Sequence, residues 1–178
     1  MKYFTIKQKE NIPNTAKLLL KTDSGFQARQ SLDIEDAASI KDSVAISVQS
    51  SIHNIYPDII DRPVFLVSDE IKRVLELYDN SLIFKNVILT DIIYKIQKVY
   101  WLVLMEKISC LSNKAEFDKA SNIKKIVLDS KKTEDKKMFL IAGIREVRVV
   151  INLDIAESLL RRFFLGVNLE EVGVDYDN

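Results

Sequence analysis

The chain of 178 residues carries 26 basic and 26 acidic side chains, with 47% hydrophobic and 29% charged residues. That balance excludes a disordered chain and supplies no overall field toward nucleic acid or anionic lipid. Its one cysteine, Cys110, excludes an intramolecular disulfide, and its longest apolar run, Val99 to Met105, is too short to cross a bilayer.

The start, Met1 to Lys7, lacks the apolar run of a signal peptide, so a cytoplasmic protein is expected, folded as one domain over 1–178. Tyr3 to Ile6 reads as a short opening strand. Asn11 to Lys21 has no defined state, with Leu18-Leu19-Leu20 inside it. Ile34 to Ile40 is expected as a short helix capped by Asp33, and Val44 to Val48 alternates like a strand. Ser50 to Tyr56 is a loop by composition, closed by Pro57 and Pro63.

Pro63 to Val67 reads as a short buried strand that runs directly into a helix. Ser68 can cap that helix, Asp69 and Glu70 place negative charge at its positive end, and Ile71, Val74, Leu75 and Tyr78 recur at helical spacing. Asp79-Asn80-Ser81 signals a turn before a strand over Leu82 to Leu89. Val99 to Met105, β-branched and aromatic at its start, is the expected central strand. Three short strands follow at Ile123 to Leu128, Met138 to Ala142 and Val147 to Ile151. The polar stretch Asp129 to Lys137 is a hairpin or a longer loop.

The last helix is capped by Asn152 or Asp154, with Glu157 at capping-box spacing from Asp154. Its expected apolar stripe is Ile155, Leu159, Leu160, Phe163 and Phe164, and Gly166 is its expected left-handed end. Leu169 and Val172 are expected on an edge strand. No internal repeat is visible. The fold expected is α+β, a mostly antiparallel sheet with two main helices packed on one face.

Chemistry is sparse. His53 is the only histidine; with Asp58 or Asp61 it could act as a base, but a lone loop histidine is usually surface. Cys110 lacks an activating neighbour and reads as a small core side chain. Asp58, Asp61, Asp69 and Glu70 could gather around a metal, yet turn bonding and helix capping explain them more simply. Four glycines, at 25, 143, 166 and 173, build no phosphate-binding loop. Lys124, Lys125, Lys131, Lys132, Lys136 and Lys137 could contact phosphates, but acids sit among them and no aromatic interleaves. Tyr100 and Trp101 point to opposite faces of their strand, one into the core and the other a potential binding anchor.

Four pieces, in order, carry a resemblance. Pro57-Asp58 stands ten residues ahead of Val67-Ser68; the capped helix reaches Leu75-Glu76; an aromatic strand follows at Tyr100-Trp101-Leu102-Val103; and the last helix, Ala156 to Phe164, breaks at Leu165-Gly166-Val167-Asn168-Leu169. From about Pro57 to Val172 the chain resembles the eleventh-named immunity-protein family of bacterial polymorphic toxin systems, formerly a domain of unknown function. It departs from that family at Leu111-Ser112, where the family tends to show an aspartate followed by a serine and an aromatic.

The resemblance implies an intracellular, cofactor-free and non-enzymatic protein that binds and neutralises a cognate toxin domain as a stoichiometric complex, without nucleic acid or membrane. The residues expected to contact the toxin are Tyr56, Asp58, Asp61, Glu170, Glu171 and Asp175. The competing readings are a small hydrolase-type enzyme using His53 and a nucleic-acid-binding module using the lysine-rich segment.

Overall fold

A computed structural model describes residues 1–20 and 32–177. Lys21, the end of the segment left without a defined state, and Gly25 lie outside the described residues. The elements in chain order are β1 (Tyr3–Gln8), β2 (Leu18–Leu19), a 3-10 helix (Ile34–Ser39), β3 (Ser43–Val48), β4 (Ile59–Ile60), β5 (Leu66–Ser68), α1 (Asp69–Tyr78), β6 (Ile83–Asp91) and β7 (Ile96–Leu104). They continue with β8 (Lys107–Ile108), β9 (Glu116–Phe117), β10 (Ile123–Lys125), β11 (Val127–Asp129), β12 (Met138–Ile141), β13 (Val149–Asn152), α2 (Leu153–Leu160) and β14 (Val167–Asp175).

The class is α+β, with sheet dominating. Instead of the single sheet expected, there are two six-stranded sheets, ordered β2-β3-β6-β7-β5-β4 and β11-β14-β1-β13-β12-β8, and a two-stranded ribbon of β9 and β10. Pairs β3–β6, β11–β14 and β12–β8 are parallel, and the other pairs are antiparallel. Helix α1 packs on β5 and β7, α2 packs on β13 and β1, and the helices touch each other. One apolar core runs through both sheets and both helices. A smaller cluster, with Tyr3, Cys110 and Phe139, fills the far side of the second sheet.

The absence of a repeat in the sequence does not extend to the topology. The run β3-β6-β7-β5-β4 matches β11-β14-β1-β13-β12 strand for strand, including which neighbours are parallel. In each half a short strand enters a capped helix. Ser68 Oγ accepts from the Ile71 amide at 3.4 Å, and Asn152 Oδ1 accepts from the Ile155 amide at 3.1 Å. A tyrosine stands opposite each cap: Tyr100 across from Ser68, and Tyr3 across from Asn152. Both hydroxyls are spent on the chain just before the neighbouring strand. Tyr100 donates to the Pro57 carbonyl at 2.6 Å, and Tyr3 donates to the carbonyls of Thr133 and Lys136.

Each helix buries an isoleucine and a leucine at the same offsets, Ile71 and Leu75 in α1, Ile155 and Leu159 in α2, none more than 1% exposed. What distinguishes the halves is the source of one strand. β7 follows β6 through a turn, whereas the matching partner of β14 is β1, from the other end of the sequence.

Several local expectations are corrected. α2 ends at Leu160, which faces solvent at 62% exposure, and Phe163 lies beyond the helix at 93%, so neither extends its buried stripe. Asn152 caps the helix, and Glu157 pairs with Arg161 instead of closing a capping box on Asp154. Gly166 does have φ +84°, but its role is close approach: a Cβ there would stand 2.8 Å from Pro57 Cβ. β14 is an edge strand at Leu169 and Val172, as expected, where only β1 pairs with it, and becomes interior over Gly173 to Asp175, where β11 covers its other side. The segment Ile123 to Leu128 is divided between β10 in the ribbon and β11 in the second sheet. Asp129 to Lys137 is the longer loop, since β11 and β12 do not pair.

Candidate functional site

Five of the six expected contact residues, all but Tyr56, are engaged in bonds within the fold. Asp58 lies within the fold's stitching: its carboxylate accepts the Leu165 amide at 2.7 Å, and its own amide donates to the Leu165 carbonyl. Asp61 accepts the Gln8 amide at 3.2 Å, tying the end of β1 to the loop after β4. Glu170 pairs with Lys7 at 2.6 Å, which holds its carboxyl below the usual range, and Glu171 pairs with Lys2 at 3.1 Å. Asp175, expected as a toxin contact, is buried. Lys114 at 2.6 Å and the Ser112 hydroxyl at 2.5 Å hold its carboxyl at about 2. Ser112 therefore has a role of its own where the resemblance breaks.

Tyr56 is half-buried, with Lys98 Nζ 5.9 Å from its ring centre. Its hydroxyl is enclosed without a hydrogen bond of good geometry among the described residues. Burial raises its pKa, the Asn54 side chain partly offsets this, and the Asp91 charge adds to it.

The chemical candidates take structural places. His53 is exposed, and its amide donates to the Ser51 hydroxyl at 3.2 Å; the carboxylates of Asp58 and Asp61 are engaged with backbone amides. Cys110 is fully buried, and burial pushes its thiol up to about 11. Asp69 accepts Trp101 Nε1 at 3.0 Å and pairs with Arg73, while Lys72 Nζ lies 4.6 Å from the Trp101 ring centre. Trp101 is thus half-covered by α1, and is no free anchor. No three His, Cys, Asp or Glu side chains converge on a metal position among the described residues. The six lysines do not share one hairpin. Lys125 pairs with Glu116, Lys132 with Asp129 and Lys136 with Glu106, and Lys137 donates to the Tyr78 carbonyl.

Two features stand out that the sequence did not announce. The loops joining β4 to β5 and β12 to β13 occupy equivalent places in the two halves, and together they wall a cleft of about 550 Å³. Phe65, Ile144 and Val147 give it an apolar lining, with Lys107 and Arg145 at its margin.

The second feature is the four-residue turn between β6 and β7. Ile92, Ile93 and Tyr94 are 69%, 73% and 44% exposed, and Ile52 on the neighbouring loop is 69% exposed. The turn is built around Asp91, whose carboxylate accepts the amides of Ile93 and Tyr94 at 3.1 Å and that of Ser51 at 3.3 Å. Burial opposes that charge, but these bonds and one from Ser50 outweigh it and keep the carboxyl below its ordinary pKa. One buried carboxylate therefore fixes two loops side by side.

A turn was legible in principle, since Asp91 and the four residues before Ile96 suit a short hairpin. That its apolar side chains face outward was not legible, because Ile-Ile-Tyr has the composition of core. No protein-family model matches the sequence, and no curated protein matches it.

Proposed function

We propose that this chain is a cytoplasmic immunity protein that neutralises a bacterial toxin domain by covering it in a one-to-one complex. The observation that carries the reading is a rigid surface with large apolar side chains left in solvent. Ile52, Ile92, Ile93 and Tyr94 stand on loops held by three backbone hydrogen bonds to one carboxylate. Exposed apolar groups that cluster mark contact sites more often than they mark neglect, and a pre-formed surface loses little conformational entropy on binding. The order of the four family-like sequence pieces supports the same reading. A standard interface of about 1,600 Å² would suffice, with no chemistry required of the protein.

The test is co-expression with the toxin domain encoded beside its gene. The chain should restore growth, and an active toxin that still kills in its presence would contradict the proposal.

A further inference from the structure

We infer that the β6–β7 turn, with Ile52 beside it, is the part of this chain that enters the toxin domain, in an apolar pocket bordered by carboxylates. This rests on the immunity reading and adds to it a surface and a partner chemistry.

The shape argument starts from the sheet. β7 pairs with β5 only from Tyr100 onward, so Ile96 to Val99 and the turn before them run past the end of β5. β3 accompanies β6 up to Thr90, one residue short of the Asp91 clasp. The tip therefore projects beyond the strands on either side, and it presents Ile92, Ile93 and Tyr94 to solvent. Ser51, bonded to the same carboxylate, places Ile52 next to them. Tyrosine and isoleucine on a rigid projection suit insertion into a pocket, the arrangement in which a few side chains dominate binding.

The charge argument sets the rim of that pocket. Lys95 in the turn and Lys98 on β7 are exposed, and neither is paired with a carboxylate among the described residues. Lys98 instead lies over the Tyr56 ring. The single acid of the turn, Asp91, faces inward and is committed to backbone amides. The projecting tip thus carries positive charge that the fold does not neutralise, and acidic groups complement it. A bilayer is the weaker match, since two lysines give little hold on an anionic leaflet.

The experiment measures binding of the purified toxin domain encoded beside the gene to wild-type chain and to Ile93→Asp, Tyr94→Ala, the double reversal Lys95→Glu/Lys98→Glu, and Phe163→Asp. All these positions are exposed, and unchanged thermal melts verify that each variant folds. Ile93→Asp should weaken binding by about thirty-fold or more, as loss of a central interface residue does. The lysine reversal should slow association about ten-fold and flatten its salt dependence. Phe163→Asp, altered in the exposed segment just past α2, should bind as wild type does.

Undiminished binding by Ile93→Asp overturns the inference while leaving the immunity reading intact; loss on Phe163→Asp alone moves the interface to the segment just past α2. Absence of binding by wild type overturns both. Two other occupants are tested with the same variants. Sedimentation with vesicles of phosphatidylcholine containing about one-third phosphatidylglycerol, abolished by Ile93→Asp while toxin binding persists, would assign the tip to membranes instead. A wild-type dimer that Ile93→Asp dissociates while toxin binding persists would assign it to a second copy.

Discussion

The two halves of this molecule solve the same packing problem and differ at one corner. In each, a strand enters a capped helix, a tyrosine faces the cap, and an Ile and a Leu one turn apart seal the helix to the core. In the first half, the strand after the helix turns directly into its partner through Ile92–Lys95. In the second, the corresponding strands β14 and β1 pair along their length, and at the corner matching the turn Tyr176 and Met1 share two hydrogen bonds. The shared features hold the fold together, whereas the exposed apolar turn exists in one half alone. Joining β6 to β7 demands a turn but not three apolar side chains in solvent, and that is why it is the place to look for binding.

The comparison predicts paired costs. Leu75→Ala and Leu159→Ala should each destabilise the chain by about 2–5 kcal/mol in urea melts, through lost transfer energy and a cavity. Leu160→Ala, expected from the sequence to belong with them, should cost less than about 0.5 kcal/mol because that side chain is in solvent. A large cost at Leu160 would mean α2 is packed on a different face. Next in size come Tyr3→Phe and Tyr100→Phe, each removing one buried hydroxyl and leaving a carbonyl short of a donor, for about 1–2 kcal/mol in the same melts. Strongly unequal costs would break the equivalence of the two positions.

Ser68→Ala and Asn152→Ala should cost about 1 kcal/mol apiece, the worth of a helix cap, measured as a shift of the urea midpoint at constant slope. The smallest effect separates the halves. Counting from the matched pair Val87 and Val172, which face Tyr100 and Tyr3, Asp175 occupies the place that Thr90 holds in the first half. Lys114 and Ser112 depress the Asp175 pKa to about 2. Its stabilisation is therefore complete above the unfolded carboxyl's value of about 4 and fades as pH falls toward 2. Asp175→Asn should flatten the stability profile between about pH 4 and pH 2, and an unchanged profile would show that the pairing does not form in solution.

What the sequence disclosed follows from locality. Ser68, Asp33 and the helical spacing of Ile71, Val74 and Leu75 act over a few residues, and the caps and α1 stand where they were expected. The pairing of Tyr3–Gln8 between β13 and β14 joins segments more than a hundred residues apart, and no local pattern records it. The apolar stripe of α2 misled because Leu160, its last residue, faces solvent and Phe163 keeps helical spacing after the helix has stopped. At Phe163 the backbone is left-handed, with φ 52°. The acidic candidates misled for a related reason. Asp58 and Asp61 do bond backbone amides, as their sequence setting suggested, but the amides are the distant ones of Leu165 and Gln8, and Asp175 is claimed by Lys114 and Ser112.

The account says that protection comes from occupying a surface, and titration of toxin activity with purified protein tests that directly. Activity should fall in a straight line and vanish at one equivalent, with the toxin recovered unaltered in mass when the complex is dissociated. Complete protection at a small fraction of an equivalent, or a toxin left chemically changed, would mean that this protein turns over a substrate and would contradict the account.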